Sequence, residues 1–148
     1  MRSAVRAAVD NADAVLDITG VRALRVLLHA GVSAYWPLVK SRPLQQIHAY
    51  EKTVQTLCRH WDSGADYVPD PVISERQRVQ ESHVVEWLEM CADRSGTRWI
   101  EPIDSVAGYV ITVVQGSVLR WLADCDDEAI LVAFDDLVSN LVTRAVDA

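Results

Sequence analysis

Glu51 stands where a carboxylate is least expected. It follows Ile47 by four residues and precedes Val54 by three, so it shares a helical stripe with apolar neighbours, and His48 lies one turn before it on the same side. A carboxylate turned toward a core must be paired, hydrogen-bonded or protonated, because burying it bare is costly. Two roles fit. Either Glu51 pairs with an arginine of a neighbouring helix, Arg22 or Arg25, or it joins His48 as the polar lining of a mostly apolar ligand cavity.

Large rings are the second chemical feature. Tyr35, Trp36, Trp61, Trp87, Trp99 and Tyr109 stand beside a single phenylalanine. Tryptophan and tyrosine join an apolar body to a hydrogen-bonding tip, which suits a pocket for a ligand of some polarity, although rings at helical spacing more often belong to a core. Trp87 shares a face with Cys91, and Tyr109 shares one with Val113. The candidate ligand-binding set is therefore His48, Glu51, Val54, Trp87, Cys91, Tyr109 and Val113.

Catalytic patterns are missing. The chain has no GxGxxG, Walker lysine loop, GxSxG or HExxH. No glutamate has a histidine three residues later, which removes the Glu-x-x-His pairs of a di-metal carboxylate bundle. Cys58 and His60 are two apart and point about 200° away from one another on a helix, so they do not share a tetrahedral site with His83. No metal, cofactor or catalytic residue is expected. A Glu51–His48 acid–base couple is the remote enzymatic alternative.

The elements that position these residues are helices. The chain has 148 residues, half of them apolar, enough for one domain over residues 1–148 with its own core. The net charge is −7, from 21 acids and 14 bases. That balance excludes a general nucleic-acid or anionic-membrane surface, which needs a basic stripe. Three cysteines without CxxC pairing, and no signal peptide, are expected of reduced thiols in a cytoplasmic protein. The apolar stretch Val106–Val118 is shorter than a membrane span requires and reads as a buried helix.

Apolar periodicity predicts six helices. The first covers Ser3 to Asp17, before Thr19-Gly20. The second covers Val21 to Trp36, with Pro37 just beyond it. The third runs from Pro43 to Trp61 with a seam of Leu44, Ile47, Val54, Leu57, Cys58 and Trp61 turned to the core. After a loop to Pro71, the fourth runs from Val72 to Asp93. The fifth is capped by Asp104 and ends near Asp124; the sixth is capped by Asp126 or Asp127 and ends near Val146.

The short acidic turn between the last two helices predicts an antiparallel hairpin. Gly108, Thr112 and Gly116 leave a shallow groove on the fifth helix, and the sixth carries a wide apolar stripe. Such surplus apolar surface suggests a subunit interface, for which the candidates are Gly116, Leu119, Leu122, Ile130, Phe134, Leu137 and Leu141. The competing reading is that helices one to four cover the stripe within one chain.

The run from Tyr109 to Val142, above all Val114-Gln-Gly-Ser-Val-Leu-Arg-Trp-Leu-Ala-Asp-Cys-Asp-Asp-Glu128 and the amphipathic Ala129–Val142, resembles the C-terminal helix hairpin of TetR-family transcriptional regulators. Ala49-Tyr-Glu-Lys-Thr-Val-Gln-Thr-Leu-Cys-Arg59 resembles a helix of one branch of that family's effector domains. The resemblance spans nearly the whole chain. It implies an all-α, six-helix effector domain whose last two helices form a four-helix bundle with a second subunit. The middle helices would enclose a small, largely apolar effector, and effector binding would release DNA from a repressor.

DNA contact in that scheme needs a basic helix-turn-helix, and no residue of this chain fits one. Whether such a segment has been removed or is naturally missing stays open. The expected function is thus a homodimeric, small-molecule-sensing domain of a TetR-like regulator. The alternative is a stand-alone helical interaction domain without a ligand, pairing through the same hairpin.

Overall fold

A computed structural model describes residues 2–148 and contains six helices: α1 (Arg2–Asp13), α2 (Val21–Lys40), α3 (Pro43–Asp62), α4 (Pro71–Ser95), α5 (Ile103–Asp124) and α6 (Asp127–Val142). The fold is all-α apart from two short strands, β1 (Thr97–Trp99) and β2 (Ala145–Asp147). These pair antiparallel with Arg98 opposite Val146.

Local chemistry sets three of the helix ends. Asp70 caps α4 by accepting from the Ile73 N–H at 2.9 Å, and Asp126 caps α6 by accepting from the Ala129 N–H at 2.9 Å. Gly96, at φ 69°, closes α4 in the left-handed region where glycine carries no Cβ penalty. Asp104 is not the cap of α5; Pro102 holds that position and Asp104 lies in the first turn. There its negative charge still faces the positive end of the helix.

Three boundaries differ from those expected. Helix α1 stops at Asp13, four residues early. Helix α2 continues through Pro37 to Lys40. A proline inside a helix costs about 3 kcal/mol, but the extra turn buries Val39 completely and completes the helix around Trp36. Each such side chain contributes about 1.5–3 kcal/mol, enough to offset the proline. At the C-terminus, α6 ends at Val142 because the following residues leave the helix to pair with β1.

Two adjoining clusters form the core. The larger joins Val9 of α1, Leu24, Leu27 and Leu28 of α2, Leu88 and Cys91 of α4, Val106 and Val110 of α5, and Leu137 and Leu141 of α6. The smaller gathers Trp36, Val39, Val118, Trp121, Ile130 and Phe134. In it the Trp36 ring meets Trp121 edge-on at 4.9 Å and Phe134 at 5.9 Å. Helix α2 contributes to both clusters. Helix α5 has the length and apolar composition of a membrane span, yet Val106, Ala107, Val110, Val118 and Trp121 are buried among its neighbours.

The beginning of α2 is tied to the far end of the chain. Gly20 has φ 77° and no side chain with which to cap the helix. Asp147 caps it instead, its Oδ1 accepting from the Val21 N–H at 2.9 Å. The Gly20 N–H donates to the Ser95 carbonyl at 2.6 Å, and the Ala148 N–H to the Gly96 carbonyl at 2.9 Å. One joint thus fastens α2, the end of α4 and β2 together.

Candidate functional site

The candidate ligand residues divide into two groups. Trp87, Cys91, Tyr109 and Val113 come together on α4 and α5, where Cys91 is fully buried and the other three pack on the larger cluster. His48, Glu51 and Val54 lie outside, exposed on α3. Glu51 is neither a buried ion pair nor part of a pocket wall: its Oε1 accepts from Gln55 Nε2 at 3.3 Å, one turn along the same helix. Of the two arginines expected to meet it, Arg22 and Arg25, Arg25 donates instead to Ser139 Oγ at 3.0 Å, and both are exposed on α2.

The reason is the rotation of α3. Its inward side is Gln46, Tyr50, Thr53, Leu57 and His60 rather than the more apolar seam. Three polar anchors hold it there. The Tyr50 hydroxyl donates to the Gln115 carbonyl at 2.9 Å, and Arg76 donates to Thr53 Oγ1 at 3.2 Å. His60 Nε2 bonds the Val68 carbonyl, while its Nδ1 faces the Asp70 carboxylate at 3.7 Å. His60 therefore serves the α3–α4 loop, and the exposed Cys58 does not join it.

Between α2, α4 and α5 the packing is close. Trp87 lies against α2 at Gly31, where an added Cβ would stand 2.4 Å from the indole Nε1. That buried Nε1 has no hydrogen-bond acceptor among the described residues. Nearby burial pushes the Cys91 thiol up to about 12, against the opposing pull of the Arg94 charge. Burial, aided by Tyr50, likewise pushes the Tyr35 phenol up to about 12. Both groups are neutral at physiological pH. Tyr109 closes the outer side, with the Arg144 guanidinium 4.3 Å above its ring.

Among the depressions that the described residues form are two open ones that contain none of the candidate ligand residues. One, of about 260 Å³, lies between α2 and α6 and is lined by Arg25, Val26, His29, Asp135 and Val138. The other, of about 170 Å³, follows the α5–α6 hairpin between Gly116, Ser117 and Arg120 on one side and Ala129 and Ala133 on the other.

The candidate interface residues also divide. Ile130, Phe134, Leu137 and Leu141 are buried within the chain's own core, so the α6 stripe is wide because α2 and α5 both cover it. Those four are corrected from interface to core, and Leu122 is half-buried against the smaller cluster. Gly116 and Leu119 remain outside, on an exposed α5 face that also holds Thr112 and Ala123 at steps of four, three and four. Val132, which the sequence reading passed over, is exposed on α6 to the same extent as Leu119 within one per cent, 55% and 54%. Its position opposite the buried Phe134–Leu137 side was the available signal.

Near the turn, Lys40 and Trp121 hold Asp127. The indole N–H donates to Oδ1 at 2.8 Å, and Lys40 Nζ bonds Oδ2. Those two hydrogen bonds hold the Asp127 carboxyl below its ordinary value. No family model matches the chain, and no curated protein or solved structure matches it.

Proposed function

We propose that the chain is a helical association module that pairs with a second copy through the outer face of α5 and α6, in the manner of TetR-like effector domains. The observation that carries this reading is that Leu119 and Val132 are exposed on the two helices of a hairpin whose groove carries Gly116, Ser117, Ala129 and Ala133 along its length, with Arg120, Asp124 and Asp126 also lining it. Gly116, Ala129 and Ala133 allow an opposing helix to approach closely, and the two leucine- and valine-bearing ridges supply apolar area. The resemblance of the hairpin sequence to TetR-family regulators supports the same face.

Sedimentation at micromolar concentration tests it. The protein should sediment as a dimer or larger species, and Leu119→Asp with Val132→Asp should lower the sedimentation coefficient by removing the association through this face while circular dichroism stays helical. Both residues are exposed, so the substitutions do not disturb the core. An unchanged sedimentation coefficient in the double variant would discard the face.

A second reading, effector sensing within the same module, rests on the Trp87 indole. A buried donor without an acceptor costs about 1–3 kcal/mol, and an apolar molecule carrying one acceptor would relieve it. A library of aromatic ketones, phenols and esters screened by thermal shift tests this. A ligand at 100 times its dissociation constant adds about 2.7 kcal/mol of stability, and Trp87→Phe should abolish the response. With no shift across the library, association alone remains.

A further inference from the structure

Helix α3 buries none of its residues, and its most apolar stripe points away from the protein. Leu44, Ile47, Glu51, Val54, Cys58 and Trp61 follow one another at steps of three, four, three, four and three. This is the alternation by which two helices mesh along a seam. The four large apolar members are 43–67% exposed. The seam is about 25 Å long, and the Tyr67 ring extends it by stacking edge-on against Trp61 at 5.6 Å.

We propose that this seam is a two-fold contact in which α3 of one copy lies antiparallel against α3 of a second copy. The spacing reads the same in both directions, so one register satisfies every layer. Centred between Lys52 and Thr53, it sets Leu44 against the partner's Trp61, Ile47 against the partner's Cys58, and Glu51 against the partner's Val54. The outermost layers thus join Leu44 to an indole, and the next ones inward set Ile47 over the smaller Cys58 thiol. The central carboxylate keeps a donor within reach, because the partner's Gln55 lies one residue beyond the partner's Val54, flanking the seam, and its amide type already serves Glu51 within one chain. A parallel pairing would set two Glu51 carboxylates against one another.

Charge at the ends favours the same arrangement. Arg42 stands at the positive end of the α3 dipole and Asp62 at its negative end, each on the unfavourable side. Antiparallel pairing brings Asp62 beside the partner's Arg42 twice over. The exposed rings and aliphatic groups amount to roughly 400–500 Å² per copy, given 150–250 Å² for a whole ring. The total is near the ~1,000 Å² at which specific interfaces begin, so the contact is reversible and concentration-dependent. It is separate from the α5–α6 face, and the two together make a dimer of dimers or a longer array.

Disulfide trapping reads the register, with native Cys58 as the probe and Cys125→Ser removing the other exposed thiol. Under mild oxidation, Ile47→Cys should give a covalent dimer that disappears when Cys58→Ser is added. Trp61→Cys, about 20 Å from the partner's Cys58 along the seam, should give none. A dimer trapped by Cys58 alone or by Trp61→Cys, or equal trapping at both positions, overturns the antiparallel register. In sedimentation, Val54→Asp should weaken the association left in the Leu119→Asp, Val132→Asp background at least tenfold. If Val54→Asp changes nothing in either background, the α3 contact is wrong whatever the fate of the hairpin face; if only Val54→Asp acts, the hairpin reading fails and this one stands.

Discussion

Gly31 and Trp87 are in direct steric contact: the indole edge of α4 lies on the bare backbone of α2, with Nε1 2.4 Å from where a Cβ would sit. Glycine inside a helix costs about 1 kcal/mol relative to alanine, and here it admits a tryptophan to the α2–α4 contact. Gly31→Ala gains that propensity but forces the ring outward, at about 1–3 kcal/mol for overpacking. The variant should be less stable by about 1 kcal/mol in urea titrations. Trp87→Phe, which removes the pyrrole edge, should recover most of the loss in the double variant, as coupling between touching residues requires.

The three thiols should differ in reactivity. Cys58 and Cys125 are exposed, while Cys91 is buried and its thiol is pushed up to about 12. Since the thiolate is the reactive species, a disulfide reagent at neutral pH should consume two thiols rapidly in the native protein and the third only on unfolding. Fast reaction of Cys91 would show that the α4–α5 core opens freely.

Asp127 predicts a limb in the acid stability profile. Lys40 first, and the Trp121 N–H second, lower its carboxyl from 3.8 in the folded protein. A depressed carboxyl adds stability that is complete above its unfolded value and disappears as pH falls through the folded one. Stability should therefore decline below pH 3.8, accompanied by a change in Trp121 fluorescence as its acceptor protonates. Lys40→Met should flatten that decline and leave the profile above it unaltered in shape.

Asp147→Ala should cost about 0.5–2 kcal/mol, the range for loss of a helix cap. Thermal unfolding measures it, and Asp147→Asn should retain much of the stability because its amide oxygen still accepts from Val21. Gly20→Ala should be harmful for two reasons. The backbone there has φ 77°, and the new Cβ would lie 2.6 Å from the Asp147 carboxylate oxygen.

Six helices were legible because their signals are local: apolar residues at helical period, with Asp126 as the cap of the last, whereas the Asp70 cap of α4 went unread. The orientation of α3 was not. Its seam has the period of a core face, but Tyr50, Thr53 and His60 are fixed by Gln115, Arg76 and the loop ending at Asp70, partners remote in sequence or lying beyond the helix. The same limit applies to Ile130, Phe134, Leu137 and Leu141. A stripe announces that something covers it, and only the placement of α2 and α5 shows that the cover is internal. Trp87 with Cys91, and Tyr109 with Val113, were found together because each pair sits one turn apart on its own helix.

Synthesis order gives the Asp147–Val21 bond a temporal meaning. Val21 leaves the ribosomal tunnel long before Asp147 does, so α2 spends translation with its first amide answered only by water. The core can collect around it in that interval, but the latch at its head closes only once position 147 emerges. A released chain ending at Val146 should be mostly folded yet open to proteases at its α1–α2 elbow.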